Sequence, residues 1–451
     1  MAKKRDSKSV DKGVGVGLVG FGTIGAGVAK VMINNARLIE TRLGFPLRLV
    51  RIADLDLETD RRVDLAGIRF DDDSAGLLAD PEVDIVIELV GGYDFARTLC
   101  LEAISNGKHV VTANKALLAV HGDEIFAAAA ESGVDVAFEA AVGGGIPILR
   151  CLREGLAANQ IKSVYGILNG TTNFVLTEME RTGAAFEVVL KQAQDLGYAE
   201  ADPTFDVEGV DAAHKLSLLT SMAFGSTLDF KSISTEGIAK LIPLDFEAAE
   251  ENGYRIKLLG IAKHHLDEDG KEVIEARVHP TMIPRASLLA NVDGAMNAIA
   301  VRGDAVGPTL YYGAGAGQLP TASAVVGDLM ELAREINRGQ SGRVAPLGFP
   351  QAALEPKPLL SLGELVSRYY LRVEALDRPG VLAKIASALG ESGVGIESIH
   401  QRAAAEGDTS VPLILWTHEV KESAVREALV TIDGLPEVTA ESSLIRIEED
   451  L

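Results

Sequence analysis

Apolar residues in this chain alternate between short unbroken runs and longer stretches with a helical period. Val14–Val19 (VGVGLV), Leu47–Ala53, Val83–Val90 (VDIVIELV), His109–Thr112 (HVVT) and Asp135–Ala140 (DVAFEA) have strand length. Runs of this kind, without polar alternation, belong to parallel strands covered on both faces. Ala26–Ile39, Asp94–Asn106 and Ala116–Ser132 read as helices between them, so the pattern predicts a doubly wound α/β domain over residues 14–148. The order then changes. Leu149–Ala158 reads as a helix, Gly166–Thr172 (GILNGTT) as a strand running into a turn, and Asn173–Arg181 as a helix. A helix is expected near Glu236–Ile242, and strands at Arg255–Lys263, Val273–His279 and Asn297–Gly303 imply a mixed sheet. Residues 149–318 are therefore expected to form an α+β domain, with the long helix Pro320–Arg338 returning to the first domain. Residues 339–367, with Gly, Pro, Gln and Ser recurring from Gly339 to Pro358, read as a linker. Residues 368–451 carry strand Tyr369–Ala375, a turn at Asp377–Leu382 entering a helix to Glu391, strands Gly395–His400 and Thr409–Thr417, helix Ser423–Ile432 and strand Glu437–Ile447. That βαββαβ order is ferredoxin-like.

Composition narrows the range of partners. The 451 residues are 47% hydrophobic and 24% charged, as in globular chains, and the length implies two or three domains. A net charge of −22 disfavours nucleic acid or an anionic membrane as partner. Cys100 and Cys151 are far apart and without a companion motif, which argues against a disulfide framework or a zinc site and fits a cytoplasmic setting. The basic opening, residues 1–13, reads as a disordered tail rather than a signal peptide. No apolar run approaches the ~18–20 residues of a transmembrane helix.

Chemistry enters at four places. The first strand is followed at once by Gly20-Phe21-Gly22-Thr23-Ile24-Gly25, then a helix, then a second strand ending at Asp54. In that order the glycines give a tight turn that brings N–H groups and a helix N-terminus to a pyrophosphate, the mark of a Rossmann-type dinucleotide site. Asp54 would accept hydrogen bonds from the ribose hydroxyls of NAD, while Arg51, Arg61 and Arg62 lie near enough in sequence to serve the 2′-phosphate of NADP. Gly91-Gly92 follows another strand where a nicotinamide ribose could approach. Lys115 falls just beyond the carboxyl end of a strand, where open α/β sheets place ligands. At Gly143-Gly144-Gly145, three glycines near Glu139 could turn carbonyls inward around a hard cation or could form a hinge, and spacing alone favours the hinge. Finally, Gly197–Gly225 holds five carboxylates, Glu200, Asp202, Asp206, Glu208 and Asp211, then Lys215 and an uncharged run, Leu216–Phe224. Asp211 and Lys215 share a helix face at four residues' separation, with Glu208 a further turn back on the same stripe. A lysine leading into a buried helix is costly unless paired and used, which marks the cluster as a substrate and catalytic site.

These strings together resemble homoserine dehydrogenase. GFGTIGAGV, GKHVVTANKALLA, FEAAVGGGIPI, GILNGTTNF, DLGYAEADPTFDVEGVDAAHKL and YYGAGAGQLPTASAVVGDL extend the resemblance over nearly all of Val14 to Asp328. Residues from Arg368 are similar to an ACT domain, a module that binds small amino acids, and with no aspartokinase-like segment ahead of the glycine turn the monofunctional form is expected. The resemblance implies NAD(P)-dependent interconversion of L-homoserine and L-aspartate 4-semialdehyde, on the route to threonine, methionine and isoleucine, with threonine as the effector sensed by the ACT domain. It implies that Lys215 moves the proton at the substrate oxygen and that Lys115 is the second active-site lysine. It implies that Glu200 and Asp211 hold the substrate amino group, with Asp206, Tyr198, Gly170 and Thr171 nearby, and that Gly197 and Gly315 touch the cofactor. Glu139 and the carbonyls of Val142, Gly144 and Ile146 match a monovalent cation site, usually sodium, and the resemblance thereby raises the cage over the hinge. Ala314 stands where the family often carries arginine. A homodimer or homotetramer is expected.

The implied chemistry suits the residues. Burial and a neighbouring ammonium lower the pKa of a lysine toward neutrality, so that it can take the hydroxyl proton and return it. Two other readings fit less well. An acyl-phosphate-forming aldehyde dehydrogenase requires an activated cysteine with a histidine partner, which neither cysteine offers. A pure amino-acid sensor would have no use for Lys215, Lys115 and Asp211.

Overall fold

The computed structural model describes residues 13–227, 230–267, 269–402 and 409–451, so the expected tail lies outside the described residues except for Gly13. The described residues form two compact units, one lying within residues 1–164, 213–231 and 297–357, the other within residues 165–212, 232–296 and 358–451.

The first unit opens with β1 (Val14–Val19), α1 (Thr23–Asn34), α2 (Ala36–Leu43), β2 (Leu47–Ala53), β3 (Arg69–Asp71), α3 (Ser74–Ala79), β4 (Ile85–Glu88), α4 (Asp94–Ser105), β5 (His109–Thr112), α5 (Lys115–Ser132) and β6 (Val136–Ala137). The strands form one parallel sheet in the order β3-β2-β1-β4-β5-β6. All six residues of β1 are buried, as expected of a central strand covered on both faces. The expected strand Asp135–Ala140 stops at Ala137, because Phe138 (φ −153°, ψ 32°) turns the backbone into a single 3₁₀ turn, Glu139–Ala141. The expected helix Leu149–Ala158 is only α6 (Ile148–Arg150), widening into one π turn over Cys151–Gly155.

The chain continues through β7 (Ile161–Ile167), α7 (Gly170–Thr182), α8 (Phe186–Asp195), α9 (Thr204–Val207), α10 (Val210–Phe224), β8 (Ser234–Thr235), α11 (Pro243–Glu251), β9 (Tyr254–Leu266) and β10 (Glu272–Pro284). The helix expected near Glu236–Ile242 is absent. There the N–H groups go to neighbours instead, Glu236 to the carbonyl of Val278 (2.8 Å) and Ile238 to that of Val207 (2.9 Å). The helix starts at Pro243, whose fixed φ suits a first turn, with Asp245 accepting the Ile242 N–H at 2.9 Å.

Next come β11 (Met296–Gly303), β12 (Gly307–Ala314) and α12 (Gln318–Arg338), then β13 (Val366–Leu376), α13 (Val381–Glu391), β14 (Ile396–Gln401), β15 (Ser410–Thr417), β16 (Val420–Lys421), α14 (Glu422–Asp433) and β17 (Ser443–Ile447). Ala322, Val325, Val326 and Leu329 of α12 are buried in one core with Val16, Leu18 and Val28. In the second unit the strands run β9-β10-β17-β13-β15-β14. The four C-terminal strands keep the ferredoxin-like order, and their helices bury Ile385, Leu389, Val425 and Ile432 against Tyr369, Leu371 and Leu415. Short β17 also pairs in parallel with β10, Thr281 opposite Arg446 and Met282 opposite Ile447, so both sheets of this unit are one.

Candidate active site

The glycine turn between β1 and α1 is shaped by close approach. Gly20 has φ +95°, and a Cβ there would lie 2.5 Å from the Leu89 carbonyl oxygen at the end of β4. Only glycine fits both conditions. Gly25, at the same end of α1, presses its Cα side against the Gly20 carbonyl, where a Cβ would be 2.2 Å away. Gly22, by contrast, faces open space; it is the N-cap of α1, without a side-chain cap, and no acidic residue stands in the first turn that Thr23 and Ile24 begin. A helix N-terminus left open in this way accommodates a pyrophosphate. The residues present therefore fit a dinucleotide.

Asp54, at the end of β2, accepts the Phe21 N–H with one oxygen and the Asp56 N–H (2.8 Å) with the other, so it also braces the turn. The three arginines proposed for a 2′-phosphate divide. Arg51 is 3% exposed and held by Asp71 and Asp73 at 3.0 and 2.9 Å, which removes it from that role. Arg61 lies over the Phe21 ring and donates to the Phe21 carbonyl at 2.8 Å, and Arg62 is exposed. Beyond β4, Glu88 accepts the N–H groups of Val90 and Gly91 (2.9 and 3.2 Å) and the Thr112 hydroxyl. Gly91, with φ +73°, faces open space. Asn114 donates to the Gly92 carbonyl (2.8 Å) and caps α5 through the Leu117 N–H (3.0 Å), so the Gly91 turn and half-buried Lys115, first residue of α5, are fixed together.

In the second unit the acidic segment gathers around α7. Gly170 opens this helix, and the Thr171 hydroxyl donates to the Tyr198 carbonyl at 2.6 Å. The Tyr198 ring packs on Phe174, 4.9 Å between centroids. Asn169 caps α7 through the Thr172 N–H (2.8 Å) and turns its amide nitrogen to Asp206 at 2.7 Å and Asp211 at 2.8 Å. Gly197 (φ +76°) and Glu200 lie in the exposed turn after α8. Asp211 and Lys215 do share α10, 4% and 9% exposed, and Leu216–Phe224 is buried behind them as the uncharged run predicts. Glu208 leaves that stripe. Gly209, with φ +81°, breaks the helix between them, and the exposed Glu208 side chain lines a different cavity.

The triple-glycine loop lies under α12. Both Glu139 oxygens accept N–H groups, from Leu149 and Arg150 at 2.9 Å each, while its own N–H donates to Asp328 at 2.8 Å. Burial pushes the Glu139 carboxyl up. Gly144 meets the Gly315 carbonyl, where a Cβ would be 2.4 Å away, and the Gly145 N–H donates to Ala314 at 3.0 Å. Val142 and Ile146 are buried in the same loop, and the Ile146 carbonyl accepts the Ile148 N–H at 2.8 Å. No group of three or more His, Cys, Asp or Glu side chains suited to a metal occurs among the described residues.

Two residues escaped the sequence reading. Asn169 sits where an N-cap is expected between a strand and a helix, which is the signal that could have found it. Lys257 of β9 is fully buried, donating to the Val292 carbonyl at 2.6 Å, and burial with nearby Arg255 pushes it down to about 8. Nothing local marks it. The two thiols behave as packing residues, since burial pushes both Cys100 and Cys151 up, away from the thiolate that an acylating aldehyde dehydrogenase needs.

An open glycine turn at the end of a parallel sheet, with a buried lysine-carboxylate helix in the same chain, defines a nicotinamide-dependent oxidoreductase. Comparison with known proteins narrows the class. The family model for the homoserine dehydrogenase NAD binding domain matches residues 20–139, that for homoserine dehydrogenase residues 147–330, and that for the ACT domain residues 369–434. Homoserine dehydrogenase of Pseudomonas aeruginosa is 51% identical over 438 residues, 97% of this chain and 99% of that protein. The crystal structure of a homoserine dehydrogenase from Thiobacillus denitrificans superposes with a TM-score of 0.90 at 50% identity, covering 97% of this chain and 98% of the other. A hyperthermophilic archaeal homoserine dehydrogenase in complex with NADPH gives 0.58 at 26% identity, over 75% of this chain and 98% of the other. The chain belongs to the homoserine dehydrogenase family. Among the described residues no helix is long and apolar enough to cross a membrane.

Proposed function

We propose that this enzyme interconverts L-homoserine and L-aspartate 4-semialdehyde, with Lys215 as the group that moves the proton at the substrate oxygen. The observation that carries this reading is α10 itself, a buried helix with Lys215 one turn after an Asp211 held by Asn169. When bound, NAD or NADP supplies the hydride acceptor and donor at the substrate carbon. Neutral Lys215 takes the hydroxyl proton in oxidation and returns it in reduction, and Lys115 adds positive charge for the developing alkoxide or the carboxylate. Glu200 and Asp211 hold the substrate ammonium, with Asp206, Tyr198, Gly170 and Thr171 completing that end. Gly20, Gly22, Thr23, Ile24, Gly25, Asp54, Gly91, Lys115, Gly197 and Gly315 serve the cofactor. Sodium is the reading for Glu139 with the carbonyls of Val142, Gly144 and Ile146, since each Glu139 oxygen keeps a lone pair beyond its single N–H bond. We place the enzyme in a cytoplasmic route to threonine, methionine and isoleucine, as a homodimer or homotetramer restrained by threonine through the C-terminal module.

The test is nicotinamide absorbance with L-homoserine, run with NAD and with NADP. Reduced cofactor is expected with homoserine and not with serine, and Lys215→Met should lose ~10²–10⁴ in turnover while still binding cofactor. Wild-type turnover in that variant removes Lys215 from the mechanism. Replacing sodium by tetramethylammonium should lower the melting temperature, and Glu139→Gln should erase that difference; an equal drop in both proteins refutes the cation site.

A further inference from the structure

Glu88 ends β4 with a side chain that solvent does not reach. Other buried carboxylates meet a guanidinium: Asp245 pairs with Arg372 at 2.8 Å, Glu275 with Arg277 at 2.7 Å and Glu422 with Arg446 at 2.6 Å. Glu88 makes no ion pair among the described residues. Its hydrogen bonds are all received. One oxygen accepts the N–H groups of Val90 (2.9 Å) and Gly91 (3.2 Å), the other the hydroxyl of Thr112, which lies opposite it on β5. Three donors and no acceptor form the pattern of an ionised carboxylate. Helix α4 registers that charge, since burial first and Glu88 second push up the Cys100 thiol. A buried, unpaired charge is costly. A plain loop brace has no need of one, because a neutral amide oxygen would accept the same N–H groups.

The bonds around Glu88 close into a ring. The Thr112 oxygen accepts the Asn114 N–H (3.0 Å), the Asn114 amide donates to the Gly92 carbonyl (2.8 Å), and the Gly91 N–H returns to Glu88. Attached to this ring are the first turn of α5, which Lys115 begins, and the open side of Gly91. The same turn backs on the dinucleotide loop. A Cβ on Gly20 would lie 2.9 Å from the Val90 nitrogen, and the Leu89 N–H donates to the Val19 carbonyl at 2.9 Å. A cofactor bound at the glycine turn therefore has the peptides that Glu88 holds as its neighbours. Oxidised nicotinamide carries a positive charge and reduced nicotinamide none, so a fixed carboxylate behind the turn acts on the two forms unequally.

We propose that Glu88 is a positioning residue of the hydride site: its ring holds Lys115 and the Gly91 turn in register, and its charge, unmatched by a cation among the described residues, favours oxidised over reduced nicotinamide. The assignment rests on the reading that places the cofactor at Gly20 and Gly91. Tighter holding of the oxidised form moves the equilibrium on the enzyme towards homoserine by the same factor. The test is the affinity of the full-length enzyme for oxidised and for reduced cofactor, measured by calorimetry without substrate. Glu88→Gln keeps the shape and the acceptor for Val90 and Gly91. It should weaken the oxidised form at least about fivefold and the reduced form less than about twofold. Thr112→Val opens the ring and keeps the charge, so it should weaken both forms alike and lower turnover of homoserine at least about tenfold, with Thr112→Ser restoring both. Equal losses for the two forms in Glu88→Gln are what a brace without an electrostatic role predicts, and they overturn the proposal. So does a Thr112→Val enzyme that binds and turns over like wild type, a result that decides the matter even where Glu88→Gln does not fold. If the wild-type enzyme binds neither form, the cofactor reading itself falls and takes the role of Glu88 with it.

Discussion

Asn169 offers the sharpest test of how the acidic segment is held. One buried amide group donates to two carboxylates, Asp206 at 2.7 Å and Asp211 at 2.8 Å, while its oxygen caps α7. Asn169→Asp changes little in shape. One oxygen still accepts the Thr172 N–H, but the other now meets two acceptors where a donor stood. Each charge-assisted bond to these carboxylates, Asp211 buried and Asp206 half-buried, is worth ~1.5–3 kcal/mol, so the pair represents ~3–6 kcal/mol of positioning. The variant can recover one bond by binding a proton, which like-charged neighbours favour. The expected loss in kcat/KM for homoserine is therefore about 10–100-fold near pH 6, growing toward pH 9 as that proton leaves. Initial rates with homoserine and cofactor varied in turn should place the loss in the homoserine KM, with the cofactor KM unmoved. Asn169→Ala removes the cap as well and should cost about 1 kcal/mol more in stability, read by denaturant unfolding. A kcat/KM for Asn169→Asp within about twofold of wild type at every pH, or equal losses for both substrates, would falsify the positioning role.

Other outcomes follow from the same structure. Lys257 is pushed from 10.5 down to about 8 by burial and by Arg255. Between those values the unfolded chain holds a proton that the native state lacks, so stability rises with pH through the window, by about 3 kcal/mol in all. Urea unfolding of Lys257→Met should show that rise flattened, and an unchanged slope would assign it to other groups. Gly20→Ala should cost about 1–3 kcal/mol of stability, because φ +95° and the Leu89 carbonyl both oppose a Cβ. Gly22→Ala has φ −69° and open space around it, so it should melt like wild type yet bind cofactor more weakly. Equal melting shifts in the two glycine variants would contradict this division.

What could be read in the sequence was local. The order of strand, glycine turn and helix places α1 over the open turn, and the four-residue spacing of Asp211 and Lys215 survives on α10 because the run behind it has a buried helix to form. Glu208 was misplaced because spacing alone extends a stripe through Gly209, whereas the backbone turns left-handed there. Arg51 was offered as a phosphate ligand for its nearness in sequence, and its burial against Asp71 and Asp73 became visible only with β3 beside β2. The buried set Arg446, Glu422 and Glu236 could not be seen at all. Its members are up to 210 residues apart, and no period or motif connects them.

The placement of β17 has a consequence for how the protein is made. β10 is synthesised about 160 residues before the strand that completes its ladder. At ~5–20 residues per second, part of its edge waits roughly 8–32 s, shielded on that side by little more than the two residues of β8. During that interval the nascent chain presents unpaired N–H and C=O groups beside the apolar residues of β9 and β10, a template for pairing with another nascent copy. Arg446 arrives with β17 to close the edge and to join Glu236 and Glu422, so the last strand acts as a latch on a sheet begun much earlier. Slow or interrupted synthesis between residues 284 and 443 should therefore lower soluble yield even when the finished fold is unaltered.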